Sequence, residues 1–225
     1  MTKPESLDAS QLADSQIPSR ADPFALFDEW FAMAQDSEPN DPNAMALATA
    51  DANARPSVRM VLLKGHGRTE GADYGVTGGG FTFFTNMDSR KGTDIAANMQ
   101  ASILFHWKSL RRQIRVEGNL IEVSPERADE YFHSRPYKSQ VGSAASAQSR
   151  PLPGRQTYID RVKELWGEHE EAGEVPRPDH WTGFTIAPER IEFWMDRDNR
   201  LHDRRLFTLE GAGDALRWSD TLLYP

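Results

Sequence analysis

The chain has 225 residues, of which 38% are hydrophobic and 27% charged, with 34 acidic against 26 basic side chains and a net charge of −8. These proportions fit one globular domain with a sizeable core and argue against a nucleic-acid binder, which would carry a basic face. The chain has no cysteine, so thiolate nucleophiles, disulfides and Cys-based metal sites are excluded. No apolar run approaches the roughly 18 residues of a membrane span, and Met1–Ala21 lacks the features of a targeting peptide, so the cytoplasm is the expected compartment.

Residues 1–21 read as a mobile tail, polar and without periodicity, and residues 22–225 as a single domain. Asp22 is a good N-cap and Pro23 suits the first turn of a helix, in which Phe24, Phe27, Phe31 and Ala34 share one apolar face. Met45–Ala50 and Ser57–Leu63 predict a hairpin about Asp51-Ala52-Asn53-Ala54. The stretch 66–80 carries six glycines and reads as a loose surface loop.

Strands follow at Phe81–Thr85 and Ala101–Trp107, with a short helix between them beginning near Ser89. In 113–123 Ile114, Val116 and Leu120 alternate with Gln113, Arg115, Glu117 and Asn119, the pattern of a half-buried antiparallel strand. A helix runs from Ser124-Pro125 to about Ser134, with Ser139 in a loop beyond Pro136. The stretch 156–170 is amphipathic, with Tyr158, Val162, Leu165 and Trp166 on one face. Strands at Gly183–Ile186, Ile191–Met195, Arg204–Leu209 and Ala215–Trp218 complete the chain. Repeats and alternating strand–helix units are absent, so the expected fold is mainly β, an antiparallel barrel with peripheral helices.

Phosphate-binding glycine loops, nucleophile elbows and metal-type histidine spacings are missing, so no catalytic metal is expected. The basic residues instead gather in short clusters that suit small anions. Arg59 and Lys64 bracket a strand and, at about 3.3 Å per residue, lie roughly 17 Å apart with opposite pleat parity if the strand is regular. Arg90 and Lys91 occupy the first turn of the helix capped by Ser89, where they oppose the helix dipole unless an anion docks there. Tyr131 and Arg135 stand at i and i+4, and with Ser139 they make a plausible set of phosphate donors. Each of these clusters is also compatible with solvated surface charge. In an extended Arg200-Leu201-His202-Asp203-Arg204, three potential cations project to one face with Asp203 on the other, so an anionic or electron-rich group should sit against them.

Taken in order, Arg59–Lys64, Thr85, Ser89-Arg90-Lys91, Gln113, Tyr131–Ser139, Gln148-Ser149, Ile191–Trp194 and Arg200–Arg204 resemble the pyridoxine/pyridoxamine 5′-phosphate oxidases, from about Asp22 to the C-terminus. The resemblance implies an antiparallel split barrel of the FMN-binding type, acting as a homodimer with sites at the interface. It implies an oxidase making pyridoxal 5′-phosphate from the phosphorylated amine or alcohol, with O2 as acceptor. FMN would be held by Arg59, Met60, Val61, Leu62, Leu63, Lys64, Phe84, Thr85, Arg90, Lys91, Gln113, Gln148, Ser149, Trp194 and Arg204. The substrate phosphate would meet Lys64, Tyr131, Arg135 and Ser139. Arg200, Leu201 and His202 would lie over the substrate ring, Arg200 and His202 taking catalytic roles together with Asp41. The chain departs from the family pattern in lacking a tail Tyr, in Ala144 where some members carry Trp, and in ending Leu222-Leu223-Tyr224-Pro225. Two alternatives are a same-fold oxidase of another aromatic substrate, of phenazine type, and, from another functional class, a non-catalytic module binding FMN or pyridoxal phosphate. Retention of the phosphate set opposes the former, and retention of Arg200 and His202 the latter.

Overall fold

The computed structural model describes residues 16–70 and 78–225. Residues 1–15 of the expected tail, and 71–77 of the glycine-rich loop, lie outside the described residues. Nine strands form one antiparallel sheet: β1 (Ala44–Ala50), β2 (Pro56–Leu62), β3 (Gly65–Gly67), β4 (Gly80–Asn86), β5 (Gln100–Trp107), β6 (Arg112–Glu122), β7 (Trp181–Met195), β8 (Asp203–Glu210) and β9 (Arg217–Leu222). Among the described residues five α-helices accompany them: α1 (Pro23–Ser37), α2 (Arg90–Ala97), α3 (Pro125–Ser134), α4 (Tyr137–Ala144) and α5 (Arg155–His169). The strand order is β2-β1-β5-β6-β7-β4-β3, with β8 on β7 and β9 on β8, and the sheet curls into a half-barrel.

The split in the sheet is built into β7. On one side β7 pairs with β6 along most of its length; on the other it pairs with β4 over 181–186 and then with β8 over 190–195. Between those halves sits Pro188, which has no N–H to give a ladder. The register with β6 shifts there, between Glu117 and Gly118. A Cβ at Gly118 would lie 2.0 Å from the Ala187 carbonyl oxygen, so only glycine fits the bulge. The two short strands expected at 183–186 and 191–195 are therefore one long strand, bent at a proline that a bulge accommodates.

One face of this sheet is core. Ile114, Val116, Ile191, Phe193 and Phe207 are fully buried, as the alternation in β6 predicts. Helix α1 lays Phe24, Leu26, Phe27, Trp30 and Ala34 into the same cluster, while Phe31 is only half-buried. Its start follows from its cap, since the Asp22 carboxylate accepts the Phe24 N–H at 3.0 Å and Pro23 needs no such partner. Phe193 meets Trp30 at 5.2 Å and Phe207 at 5.5 Å, both edge to face; truncating a phenylalanine so placed costs about 3–5 kcal/mol.

Four expectations are corrected. Residues 16–20 belong to the folded body: Ile17 is fully buried, its carbonyl accepts from Arg205, and the Gln16 N–H reaches Asp203. The tail boundary at 21 therefore falls too late, because the signal was a single apolar residue in a polar stretch. His66 and Gly67 belong to β3 and not to a loose loop. Ser139 lies in α4, which begins directly after Pro136; proline ends one helix and starts the next. Helix α4 packs on α5 through a satellite cluster of Val141, Leu165 and Val175. Finally, Arg200–Arg204 is not extended. Asp198–Arg200 form a 3-10 turn in which Asn199 and Arg200 have positive φ of 55° and 62°, and the strand resumes only at Asp203.

Candidate active site

Two clefts share no lining residue. The larger, of about 690 Å³, opens between β2, β4 and the helices α3, α4 and α5. Its lining includes Lys64, Lys91 and Arg135 and, among the described residues, not one aspartate or glutamate, although the chain as a whole is acidic. Hydroxyl and amide groups complete it, among them Thr85, Tyr131, Ser139, Ser143 and Gln148.

The sequence arranges this cleft through local packing. Gly183 pairs with Phe84 across β4 and β7, and a Cβ there would sit 2.6 Å from the Phe84 ring. Without that Cβ the ring lies flat, stacking on Tyr131 at 4.0 Å and on Trp181 at 5.2 Å. Tyr131 is thus held as one plate of a three-ring wall, with the Lys64 ammonium 5.9 Å from its centroid. Arg135 is the C-cap of α3. Its guanidinium lies over Trp181 at 5.1 Å and Phe132 at 5.3 Å, and Nη2 donates to the Ser139 carbonyl at 2.7 Å and the Ser143 hydroxyl at 2.6 Å. Among the described residues Nη1 is buried without a hydrogen-bond partner, as is the Thr85 hydroxyl of β4. Buried donors of this kind cost about 1–3 kcal/mol each when unsatisfied, so an acceptor in the cleft would be stabilised by both.

Cation crowding is greatest near α2. Lys91 Nζ donates to the Gln148 side-chain amide oxygen Oε1 at 2.5 Å and to the Ser89 hydroxyl at 3.1 Å. Burial, reinforced by the Arg59 charge, lowers the Lys91 ammonium from 10.5 to about 8. Burial likewise lowers Arg59 and Arg135 from the usual guanidinium value. No carboxylate pairs with Lys64, Lys91 or Arg135 among the described residues.

The smaller cleft, of about 310 Å³, lies on the outward face of the sheet and is lined by Leu104, Gln113, Arg115, Glu192, Trp194, Arg204 and Pro225. Register explains the set. His106, Gln113, Trp194 and Arg204 form one row across β5, β6, β7 and β8, and Leu104, Arg115 and Glu192 form a parallel row on the same face. Here the cations are paired: Arg204 Nε and Arg115 Nη2 each reach the buried Glu192 carboxylate at 2.7 Å. Next to it, the His202 ring lies 4.7 Å from Trp194, with Nδ1 2.9 Å from Asp196. Asp203 turns inward against Arg197 at 3.3 Å.

The structure therefore sorts the expected residues. Met60, Val61, Leu62, Lys64, Phe84, Thr85, Lys91, Tyr131, Arg135, Ser139 and Gln148 come together in the large cleft, and Gln113, Trp194 and Arg204 in the small one. Leu63 is in the core. Arg59 and Arg90 stand behind Lys91, bound to Thr49 and Asp94 respectively, and Ser149 faces the adjoining surface groove. Asp41, exposed in a turn at φ 41°, and Arg200, Leu201 and His202 line neither cleft. His202 and Arg204 have acid partners, Asp196 and Glu192, that a purely local inspection of 200–204 missed. Glu192 has the same strand parity as Trp194, and the hairpin of β7 and β8 would have shown it.

A family model described as pyridoxamine 5′-phosphate oxidase matches residues 33–169, and one described as the pyridoxine 5′-phosphate oxidase C-terminal dimerisation region matches residues 181–225. The chain is 62% identical over 216 residues to a pyridoxine/pyridoxamine 5′-phosphate oxidase of Erythrobacter litoralis, covering 96% of each. It is 58% identical over 216 residues to one of Novosphingobium aromaticivorans, covering 96% of this chain and 99% of that one. Among solved structures, PhzG from Burkholderia lata 383, in complex with tetrahydrophenazine-1-carboxylic acid, aligns with a TM-score of 0.80 at 27% identity over 98% of both chains. A pyridoxamine 5′-phosphate oxidase-related, FMN-binding protein of Nostoc punctiforme shares the fold, with a TM-score of 0.68 at 15% identity over 92% of this chain and 100% of that one. With both family models matched and close relatives aligned along almost its whole length, the chain belongs to the pyridoxine/pyridoxamine 5′-phosphate oxidase family.

Proposed function

We propose that this protein is an FMN-dependent oxidase that converts pyridoxamine 5′-phosphate or pyridoxine 5′-phosphate to pyridoxal 5′-phosphate in the cytoplasm. The observation that carries this reading is the large cleft, whose three cations have no acid among its lining residues. Such a site is stabilised by phosphate, and each charge-assisted hydrogen bond contributes about 1.5–3 kcal/mol. The unpartnered Thr85 hydroxyl and Arg135 Nη1 fit the same class of ligand, since both can donate to oxygen.

Lys64, Tyr131, Arg135 and Ser139 are assigned to the substrate phosphate. Arg59, Arg90, Lys91, Thr85, Gln148 and Ser149 are assigned to FMN, with Met60–Leu63 and Phe84 against it and Gln113, Trp194 and Arg204 contributing from the small cleft. FMN held there would supply the redox chemistry of this two-electron oxidation, with O2 as final acceptor and hydrogen peroxide as its product. The protein supplies orientation: a substrate gripped by its phosphate arrives with one carbon presented, which removes rotational entropy from the barrier. Arg200 and His202 are assigned to the substrate ring, and Asp41 to a further acidic role. The positive φ of Asn199 and Arg200 supports a functional turn there, because strained backbone of this kind persists where the surroundings hold it in place.

In one chain the phosphate set lines the large cleft, whereas the ring set lines neither cleft and its His202 lies beside the small one, against Trp194. That separation supports a homodimer in which the large cleft of one protomer meets the small cleft of the other. The exposed Val58 and Met60 on the edge strand β2, at 69% and 63%, supply apolar surface for such an interface.

The test is an oxygen-consumption assay of the purified protein with pyridoxamine 5′-phosphate and FMN. The expected result is stoichiometric peroxide and pyridoxal 5′-phosphate. Oxidation of unphosphorylated pyridoxamine with equal kcat/KM would remove the phosphate assignment, and no turnover with added FMN would remove the oxidase.

A further inference from the structure

Behind the Lys91 side of the large cleft lies a carboxylate that none of the roles above uses. Asp94 projects from α2 with its side chain 1% exposed. Its Oδ1 accepts from Arg90 Nε at 3.0 Å. Its Oδ2 accepts from the Thr49 hydroxyl at 2.8 Å and lies 3.7 Å from Arg59 Nη2. Thr49 in turn accepts from Arg59 Nη1 at 2.7 Å, and Arg59 is steadied further by the Leu47 carbonyl and the Ser57 hydroxyl. One buried acid thus ties a helical cation to a cation of β2 through a residue of β1.

Burial alone pushes the Asp94 carboxyl up, but the hydrogen bonds from Thr49 and Arg90 and the charges of Arg90 and Arg59 outweigh it, and the group titrates below the usual carboxylate value. It is therefore an anion at neutral pH, held among cations that would otherwise repel one another. Arg90 remains 56% exposed and Arg59 21%, so both keep surface for another ligand.

We propose that Asp94 is a positioning residue that orients the Arg59 and Arg90 guanidiniums as a clamp for the FMN phosphate. The inference rests on the flavin reading above. It differs from a structural tie in what it predicts for ligand choice, and from simple neutralisation in sign. If Asp94 only cancelled positive charge, its removal would strengthen phosphate binding. If it sets the geometry, its removal weakens phosphate binding and leaves the rest of the flavin site intact.

The test is a fluorescence titration of the full chain, freed of flavin, with FMN and with riboflavin, which lacks the phosphate. For Asp94→Asn the expected result is a loss of at least about tenfold in FMN affinity with riboflavin affinity unchanged. Thr49→Val, which breaks the Asp94–Arg59 bridge but leaves the charge, should move the ratio the same way by several-fold and serves if Asp94→Asn fails to fold. Tighter FMN binding in Asp94→Asn, an unchanged ratio in Thr49→Val, or equal loss of both flavins would overturn the proposal. Wild-type protein with no preference for FMN over riboflavin would overturn the flavin reading itself, and this inference with it.

Discussion

In the large cleft Lys64, Lys91 and Arg135 stand without a single acidic lining residue, whereas in the small cleft Arg115 and Arg204 both close on Glu192. The two regions use the same chemistry for opposite ends. A cation already paired with a buried carboxylate is fixed in place and offers a rigid edge to a ring or amide. A desolvated cation without one is costly until an anion arrives, and the lowered Lys91 and Arg135 values record that cost. On the proposed reading the large cleft suits phosphate and the small one suits shape.

The sharpest way to break this comparison is to separate the clefts between chains. Arg135→Ala damages the large cleft, and His202→Ala the region beside the small one. If each site is composed across a homodimer, unfolding and refolding the two variants together restores one intact site in half of the dimers, or about a quarter of wild-type activity. Oxygen uptake at low substrate would read it. No recovery beyond the sum of the parents would mean that both clefts act within one chain.

Arg135→Ala alone should lower kcat/KM for pyridoxamine 5′-phosphate by about 10–100-fold, the equivalent of about one charge-assisted bond. The change should lie mainly in KM, because the phosphate is gripped equally in ground and transition states. A pure kcat effect would move Arg135 from handle to chemistry.

Stability separates the clefts in the other direction. Arg204→Gln leaves the buried Glu192 with Arg115 as its remaining cation, and should cost about 1–3 kcal/mol in denaturant unfolding. Arg135→Gln orphans no carboxylate and removes a desolvated cation, so its loss of packing and hydrogen bonds should cost less than Arg204→Gln does. Equal losses would show that the acid pairing is not what distinguishes the sites.

Much of this was readable before any coordinates. The alternation from Gln113 to Leu120 names the outward and inward faces of β6 correctly, because a half-buried strand writes its environment into every second residue. Tyr131, Arg135 and Ser139 were readable as one cluster for a similar reason, since they sit close in sequence on α3, its C-cap and α4, whereas Lys64 reaches the same cleft from beyond the end of β2. What the sequence conceals is register between distant strands. Gln113, Trp194 and Arg204 form one row, yet nothing local says that residue 113 faces 194. The turn at Asn199 and Arg200 was hidden as well, since neither is glycine and both take positive φ. Asp94 escaped because a single aspartate in a short polar helix looks like solvated charge until Thr49 and Arg59 are brought to it.

The smallest expected effect is also the most specific to the large cleft. Folded, the chain releases the Lys91 proton at about 8, below the ordinary 10.5. Between those values the unfolded chain holds a proton that the folded chain has lost, so stability of the flavin-free protein should rise with pH across that window. Phosphate affinity should move oppositely, because the clamp loses a charge as pH climbs past about 8 while the phosphate, whose second pKa is near 6, does not change. Titration with FMN from about pH 7 to 9.5 should show a several-fold weakening in wild type, bounded at about tenfold per pH unit for one proton. Lys91→Arg keeps its charge throughout and should flatten the profile. A riboflavin titration should be flat in both proteins; a matching slope there would place the titrating group elsewhere and leave Lys91 as a neighbour of Gln148 and nothing more.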